Sequence, residues 1–110
     1  MKKNKADLLQ GTLDLIVLRV LQSGAANGWD ITQKIKLISQ DILQVNYGSL
    51  YPALHRLEAQ GWITSEWGAS ENNRRAKFYK LTNSGRKRLN AERESWETVS
   101  NAVDLILKKA

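Results

Sequence analysis

Seven of the chain's 17 Lys and Arg residues fall between positions 74 and 88: Arg74, Arg75, Lys77, Lys80, Arg86, Lys87 and Arg88. No Asp or Glu lies among them. Cations this crowded repel one another unless an anion compensates. A phosphate backbone does so through charge pairing and counterion release. The plainer alternative is a solubilising surface loop. A second set of polar groups sits upstream in Gly48-Ser49-Leu50-Tyr51-Pro52-Ala53-Leu54-His55-Arg56-Leu57-Glu58. A hydroxyl can hold a phosphate and a guanidinium can read a guanine edge. A solvated helix face explains these side chains equally well when they are taken alone.

Other chemistries are poorly supplied. The chain has no Cys and one His, which excludes a disulfide scaffold, a thiol nucleophile and a thiolate metal site. No acid–base–nucleophile set and no phosphate-cradling glycine loop occurs, so an enzyme is not expected and no cofactor is called for. The net charge of +6 over 110 residues favours an acidic partner. The longest apolar run, Leu13 to Leu21, has nine residues and contains Asp14 and Arg19. A membrane span needs about 20. Met1-Lys2-Lys3-Asn4-Lys5 imitates the start of a signal peptide, but Asp7, Gln10 and Asp14 follow in place of an apolar stretch. The expected location is the cytoplasm.

The elements that would carry these groups can be read from apolar spacing. Residues 1–8 are expected to be a flexible tail. Leu9 to Leu21 reads as a helix with Leu13, Ile16, Val17, Val20 and Leu21 on one face and Leu15 and Leu18 on another. Such a helix is either central to its own core or shared with a partner subunit, since so short a chain has few elements to cover two faces. Ser23-Gly24 stops it. Asn27-Gly28-Trp29-Asp30 reads as a turn, followed by a helix with Ile31, Ile35 and Ile38 inward. Ser39-Gln40-Asp41 breaks that helix, and Ile42 to Val45 is a connector or a very short strand.

A third helix is expected to begin with Ser49 as its N-cap and Pro52 in its first turn. Leu50, Ala53, Leu54 and Leu57 would face inward and Gly61 would end it. Gly48, Pro52, His55 and Ala59 then point outward, flanked by Tyr51 and Arg56. Trp62–Trp67 and Ala76–Leu81 read as two strands of a hairpin with the tip between them. Thr82-Asn83-Ser84-Gly85 caps a last helix running to about Lys109, with a heptad-like seam of Leu89, Trp96, Val99, Val103 and Ile106. The seam could cover the domain's own core, but it is long enough to imply a partner's first and last helices as cover. Trp96 is either packing or, in a symmetric dimer, one wall of a gap for a planar apolar small molecule.

Three helices followed by a hairpin define a winged helix-turn-helix. The fold class is mainly α with a small β-hairpin, plus a long C-terminal dimerisation helix. The division is residues 1–8 as tail, 9–81 as the DNA-binding domain and 82–110 as the dimerisation helix. In helix-turn-helix proteins the second helix of the motif enters the major groove N-terminal end first, and by order that is the third helix here. The partners expected are double-stranded DNA and a second copy of the chain, with no membrane.

The segment Gly48–Glu58 resembles the recognition helix of the PadR-like transcriptional regulators, and Gln10-Gly11-Thr12-Leu13-Asp14 resembles the opening of that family's first helix. Gly61 to Trp67, Ser70 to Lys77 and Tyr79-Lys80-Leu81-Thr82 resemble its wing. The likeness spans roughly Leu9 to Leu89. It implies a homodimeric repressor that binds an inverted-repeat operator. It carries DNA contacts to Ser49, Tyr51, Pro52, His55 and Arg56, and to Asn73, Arg74, Arg75 and Lys77 on the wing. It implies dimerisation through the first and last helices, which agrees with their apolar faces; on those faces Leu13, Ile16, Val20, Trp96, Val99, Val103 and Ile106 are the expected interface residues. Two departures are Trp29, where the family usually has Tyr, and Trp62, where it often has Leu; both are expected to bear on packing. Ending after one C-terminal helix is similar to the family's small subgroup. A small-molecule-responsive repressor with its ligand near Trp96 is the alternative.

Overall fold

The computed structural model describes residues 10–110. The expected tail at residues 1–8, and the helix start at Leu9, lie outside the described residues. The elements in order are α1 (Gln10–Gln22), β1 (Ala26–Asn27), α2 (Gly28–Ile38), α3 (Tyr47–Ala59), β2 (Ile63–Ala69), β3 (Arg75–Leu81) and α4 (Asn83–Lys109). The architecture is a winged helix with a long final helix.

The core is one apolar cluster. α1 contributes Leu13, Val17, Leu18, Val20 and Leu21, α2 contributes Ile31 and Ile35, and α3 contributes Leu50, Ala53, Leu54 and Leu57. Ile63, Tyr79 and Leu81 close it from the sheet, and Leu89 from α4. Leu18 does not form a separate face of α1: it is 1% exposed. Of that helix's apolar residues, Leu15 and Ile16 remain half-buried at the edge of the core. Ile38, by contrast, does not turn inward as the 3–4 spacing suggests; it is largely exposed together with Leu37 and Ile42.

Three local features differ from the sequence reading. Asn27-Gly28-Trp29-Asp30 is the N-terminus of α2, with Asn27 as N-cap accepting from the Asp30 N–H at 2.8 Å. The cap of α3 is Asn46, not Ser49: the Asn46 side chain accepts from the Ser49 N–H at 2.9 Å. Either residue type satisfies orphan helix donors, and Asn46 wins because the helix starts at Tyr47, earlier than expected. Pro52 is therefore the sixth helical residue rather than a first-turn one. It has no N–H to give to the Gly48 carbonyl. Gly48 and Pro52 are both exposed, so water can satisfy that carbonyl.

Of the two alternatives for Ile42–Val45, the structure has the connector; the sheet's third strand is β1. The sheet is antiparallel in the order β1-β3-β2. β1 pairs Ala26 with Tyr79 and Asn27 with Phe78. This short ladder ties the start of α2 to the side of the hairpin. β2 and β3 pair from Ile63↔Leu81 to Ala69↔Arg75, so the strands reach closer to the tip than expected and leave only residues 70–74 as the turn.

α4 is clamped to the end of α3 at its first turn. Gly61, with a φ of 78°, turns the chain after α3. Its carbonyl accepts from the hydroxyls of Thr82 at 2.7 Å and Ser84 at 3.0 Å. Thr82 also caps α4 by accepting from the Gly85 N–H at 3.0 Å. Gly85 has no room for a side chain, because a Cβ there would meet the Trp62 carbonyl and, at 2.8 Å, Leu81 Cδ1. Beyond Leu89 no residue of α4 is buried. A helix of 27 residues extends about 40 Å, so its C-terminal half projects from the core.

Candidate nucleic-acid interface

The N-terminal half of α3, the N-terminus of α2 and the hairpin line one cleft of about 760 Å³. Tyr47 and Tyr51 come from α3, Trp29 from α2, and Trp67, Arg75 and Lys77 from the hairpin. The β1–β3 pairing explains the convergence, since it holds Asn27 and the residues after it against the flank of β3.

Tyr51 joins the two sides of this cleft. Its ring lies 5.5 Å from the Tyr47 ring, tilted by 50°. Its hydroxyl end rests over Gly28, where any Cβ would collide with it. On the inner side stands Tyr79, whose hydroxyl has its pKa raised, first by burial, then by the neighbouring Tyr51 and by Glu58. Glu58 in turn accepts from the Ser65 hydroxyl at 2.5 Å. Tyr51 is nevertheless about half exposed, and Pro52 and His55 lie beside it on the open face.

Ser49 is half-buried and its N–H is taken by the Asn46 cap. Arg56 is not on the open face. Its Nη2 lies 2.8 Å from Asp14 Oδ1 on α1, and its Nε is buried without a partner. The sequence reading puts Arg56 among the groups leading into a groove; the structure turns it along the flank of α3 toward α1 instead.

On the wing, Asn73 adopts a left-handed φ of 58°, and its N–H donates to the Ser70 carbonyl at 2.9 Å. The Ser70 N–H donates to the Arg74 carbonyl at 2.8 Å. This tight turn leaves the Arg74 side chain exposed. The Arg75 guanidinium stacks over the Trp67 ring at 4.6 Å, a cation–π contact that steadies it without neutralising it. Lys77 is half-buried directly across the ladder from Trp67. Of the basic run's remainder, Arg88 is engaged elsewhere: it lies over Trp62 at 4.6 Å and pairs with Glu92.

The two unusual tryptophans part company. Trp62 packs against the core, as expected. Trp29 does not pack; it is 59% exposed and lines the cleft, as does the exposed Trp67. The sequence reading misses Trp29, Tyr47 and Trp67 as cleft residues. The hairpin itself is the available signal for Trp67, since folding it back brings the strand of Arg75 and Lys77 alongside; nothing local signals Trp29, which depends on the β1–β3 pairing.

A second groove, of about 540 Å³, runs between α1, α2 and α4. Leu15, Ile16, Ile38, Leu43 and Trp96 line it. Val99, Val103 and Ile106 continue its apolar character along α4, all substantially exposed. Leu13 and Val20, expected at a subunit interface, belong to the chain's own core at 5% and 7% exposure, and Val20 also lines this groove.

A recognition-type helix beside a basic wing defines a winged-helix DNA-binding protein. The chain belongs to the transcriptional regulator PadR-like family, whose sequence profile matches residues 17–91. The transcriptional regulator Rv3488 of Mycobacterium tuberculosis is 35% identical over 89 residues, covering 78% of this chain and 79% of that protein. The negative transcriptional regulator PadR of Bacillus subtilis is 30% identical over 77 residues, covering 70% of this chain and 42% of the relative. A transcriptional regulator from Clostridium thermocellum has a similar structure, with a TM-score of 0.80 and 30% identity over 89% of this chain and 95% of that one. The protein is thus a DNA-binding transcription regulator, of a family that regulates transcription rather than catalysing a reaction. Among the described residues no helix is long and apolar enough to cross a membrane.

Proposed function

We propose that this chain is a cytoplasmic homodimeric repressor that binds an inverted-repeat operator. The observation that carries the reading is the cleft shared by the N-terminal half of α3 and the wing. With Tyr51, Pro52 and His55 on its open face, α3 enters the major groove. Ser49 and the helix N-terminus hold the adjacent phosphates. Asn73, Arg74, Arg75 and Lys77 grip the flanking backbone. Repression is supported by the name of the Bacillus subtilis relative, a negative transcriptional regulator.

The dimer reading rests on the projecting half of α4. Trp96, Val99, Val103 and Ile106 expose an apolar seam that the chain itself does not cover, and exposed apolar surface of this extent marks an interaction site. From α1, Leu15 and Ile16 offer the most surface and Val20 lines the same groove, while Leu13 supports them from the core. Selection of bound sequences from a random DNA pool tests the whole reading. A palindromic motif with a fixed half-site separation is expected; no enriched motif would favour non-specific nucleic-acid binding instead.

The second reading, a small-molecule-responsive repressor, is favoured by one observation: Trp96 stands on the wall of the apolar groove between α1, α2 and α4. A planar apolar compound bound there would quench tryptophan fluorescence. Replacing Trp96 with Leu should remove that quenching, and quenching that persists would reject the site.

A further inference from the structure

We infer that Arg56 acts on DNA through Asp14, as a positioning residue that fixes how α3 is presented, and does not read a base edge. The inference rests on the reading of α3 as the recognition helix. Three observations carry it. First, the Arg56–Asp14 contact at 2.8 Å is the only ion pair between different elements among the described residues, and it ties α3 to α1 across 42 positions of sequence. Second, Asp14 is largely covered at 20% exposure and Arg56 is partly covered at 35%, with its Nε buried and without a partner. A buried donor left unpaired is costly. An arginine free to reach outward would relieve that cost by swinging into water, so the carboxylate is what holds it. Third, swinging Arg56 out to a base would also strand Asp14, which no other basic side chain among the described residues engages.

The consequence follows from where α1 lies. Leu15 and Ile16, the next residues along that helix, line the groove continuous with the exposed α4 seam. The ion pair therefore connects the helix next to the proposed subunit interface with the helix proposed to enter the groove. α3 is about 20 Å long. A tilt of about 5° about one end moves the other by nearly 2 Å, enough to misplace side chains that lead into a base edge. In a two-fold dimer the same tilt is applied twice and alters the separation over which both half-sites can be engaged.

The experiment uses the full chain and an operator obtained by selection from random DNA. Asp14→Asn, Arg56→Met and the reversed pair Asp14→Arg with Arg56→Asp are compared with the parent in competition against random DNA at one salt concentration. A panel of operators with half-sites moved by one base pair is included. Asp14→Asn and Arg56→Met should each lower the operator-to-random ratio by a similar factor, about tenfold. Both should broaden the spacing preference, and the reversed pair should recover most of both. A purely structural contact would weaken both DNAs together and leave ratio and spacing unchanged, which overturns the inference. So does a selective Asp14→Asn beside an Arg56→Met that has lost preference at a single base position, the signature of base reading. Should Arg56→Met fail to fold, Asp14→Asn and the reversed pair decide alone. A parent with equal affinity for both DNAs would overturn the reading of sequence-specific binding, and this inference with it. A selective parent with unaltered variants overturns the inference only.

Discussion

The hydroxyl end of Tyr51 occupies the space that a side chain at Gly28 would fill. Glycine at the first position of α2 thus serves the neighbouring helix rather than its own. The backbone there is an ordinary helical start without the left-handed φ that would itself require glycine. Gly28→Ala should therefore leave thermal stability within about 1 kcal/mol of the parent, because the far end of the tyrosine can move aside. It should displace Tyr51 from the cleft and weaken DNA binding. Calorimetry and DNA titration on the same preparation check this. Unchanged affinity would mean that the position of Tyr51 does not matter to the complex.

The order of the four helices and the hairpin, the apolar stripe of α3 and the Thr82 cap are legible in the sequence because each depends on residues close along the chain. Leu50, Leu54 and Leu57 repeat at helical spacing and all are buried. What escapes depends on distant partners. Arg56 looks like an outward donor until α1 brings Asp14 to it. β1 has two residues and no pattern of its own; it exists because β3 offers a free edge beside it. Without β1 nothing in the sequence puts Trp29 next to the wing. Leu18 reads as part of a second face because an isolated helix cannot reveal that α4 packs on α1 as well. The start of α3 is obscured for a different reason: Asn46 and Ser49 are equally good caps within one turn of each other, and only the backbone distinguishes them.

The wing arginines differ in how they are held, and this bears on the salt response. Arg74 is exposed on the turn, while Arg75 is stacked over Trp67. Neither is paired with an acid among the described residues. Arg74→Ala with Arg75→Ala should weaken operator and random DNA about equally, because phosphate contacts carry no sequence information. Each phosphate that the variant no longer neutralises should reduce the slope of log K against log salt by about 0.9. Titrations at several salt concentrations measure the slope; a slope equal to the parent's would show that the wing does not touch backbone. Trp67→Ala should produce a smaller loss of the same kind, by freeing Arg75 without removing its charge.

Tyr79 gives the fold an alkaline limit. Burial, then Tyr51, then Glu58 raise its pKa above the ordinary value of 10.0. The folded chain therefore holds that proton more tightly than the unfolded one. The corresponding stability is complete below pH 10.0 and is lost as pH rises through the raised value. Denaturant unfolding of the parent and of Tyr79→Phe should show the same pH dependence up to about pH 9. Above about pH 10 the parent should lose stability faster than the variant. Parallel curves throughout would show that Tyr79 ionises as freely in the folded chain as in the unfolded one.

The apolar seam of α4 offers the sharpest separation of folding from assembly. Val99 and Val103 are 56% and 45% exposed within the chain, and no residue of α4 beyond Leu89 is buried. An aspartate at either position therefore meets water in the isolated chain and should leave the core cluster, which ends at Leu89 on this helix, intact. In a dimer the same carboxylates would be pressed against a partner's apolar side chains, and burying a charge without a counter-ion costs several kcal/mol as an order of magnitude. Val99→Asp with Val103→Asp should thus yield a monomer with a native circular dichroism spectrum. Helicity should fall only slightly, through fraying of a C-terminal half that has lost its cover. Operator affinity should drop steeply, because a monomer engages one half-site where a dimer engages two, while the weak affinity for random DNA changes far less. Light scattering at several concentrations reads the assembly state. A double variant that remains a dimer of parental stability would remove α4 from the interface and return the burden to Leu15, Ile16 and the exposed end of α2.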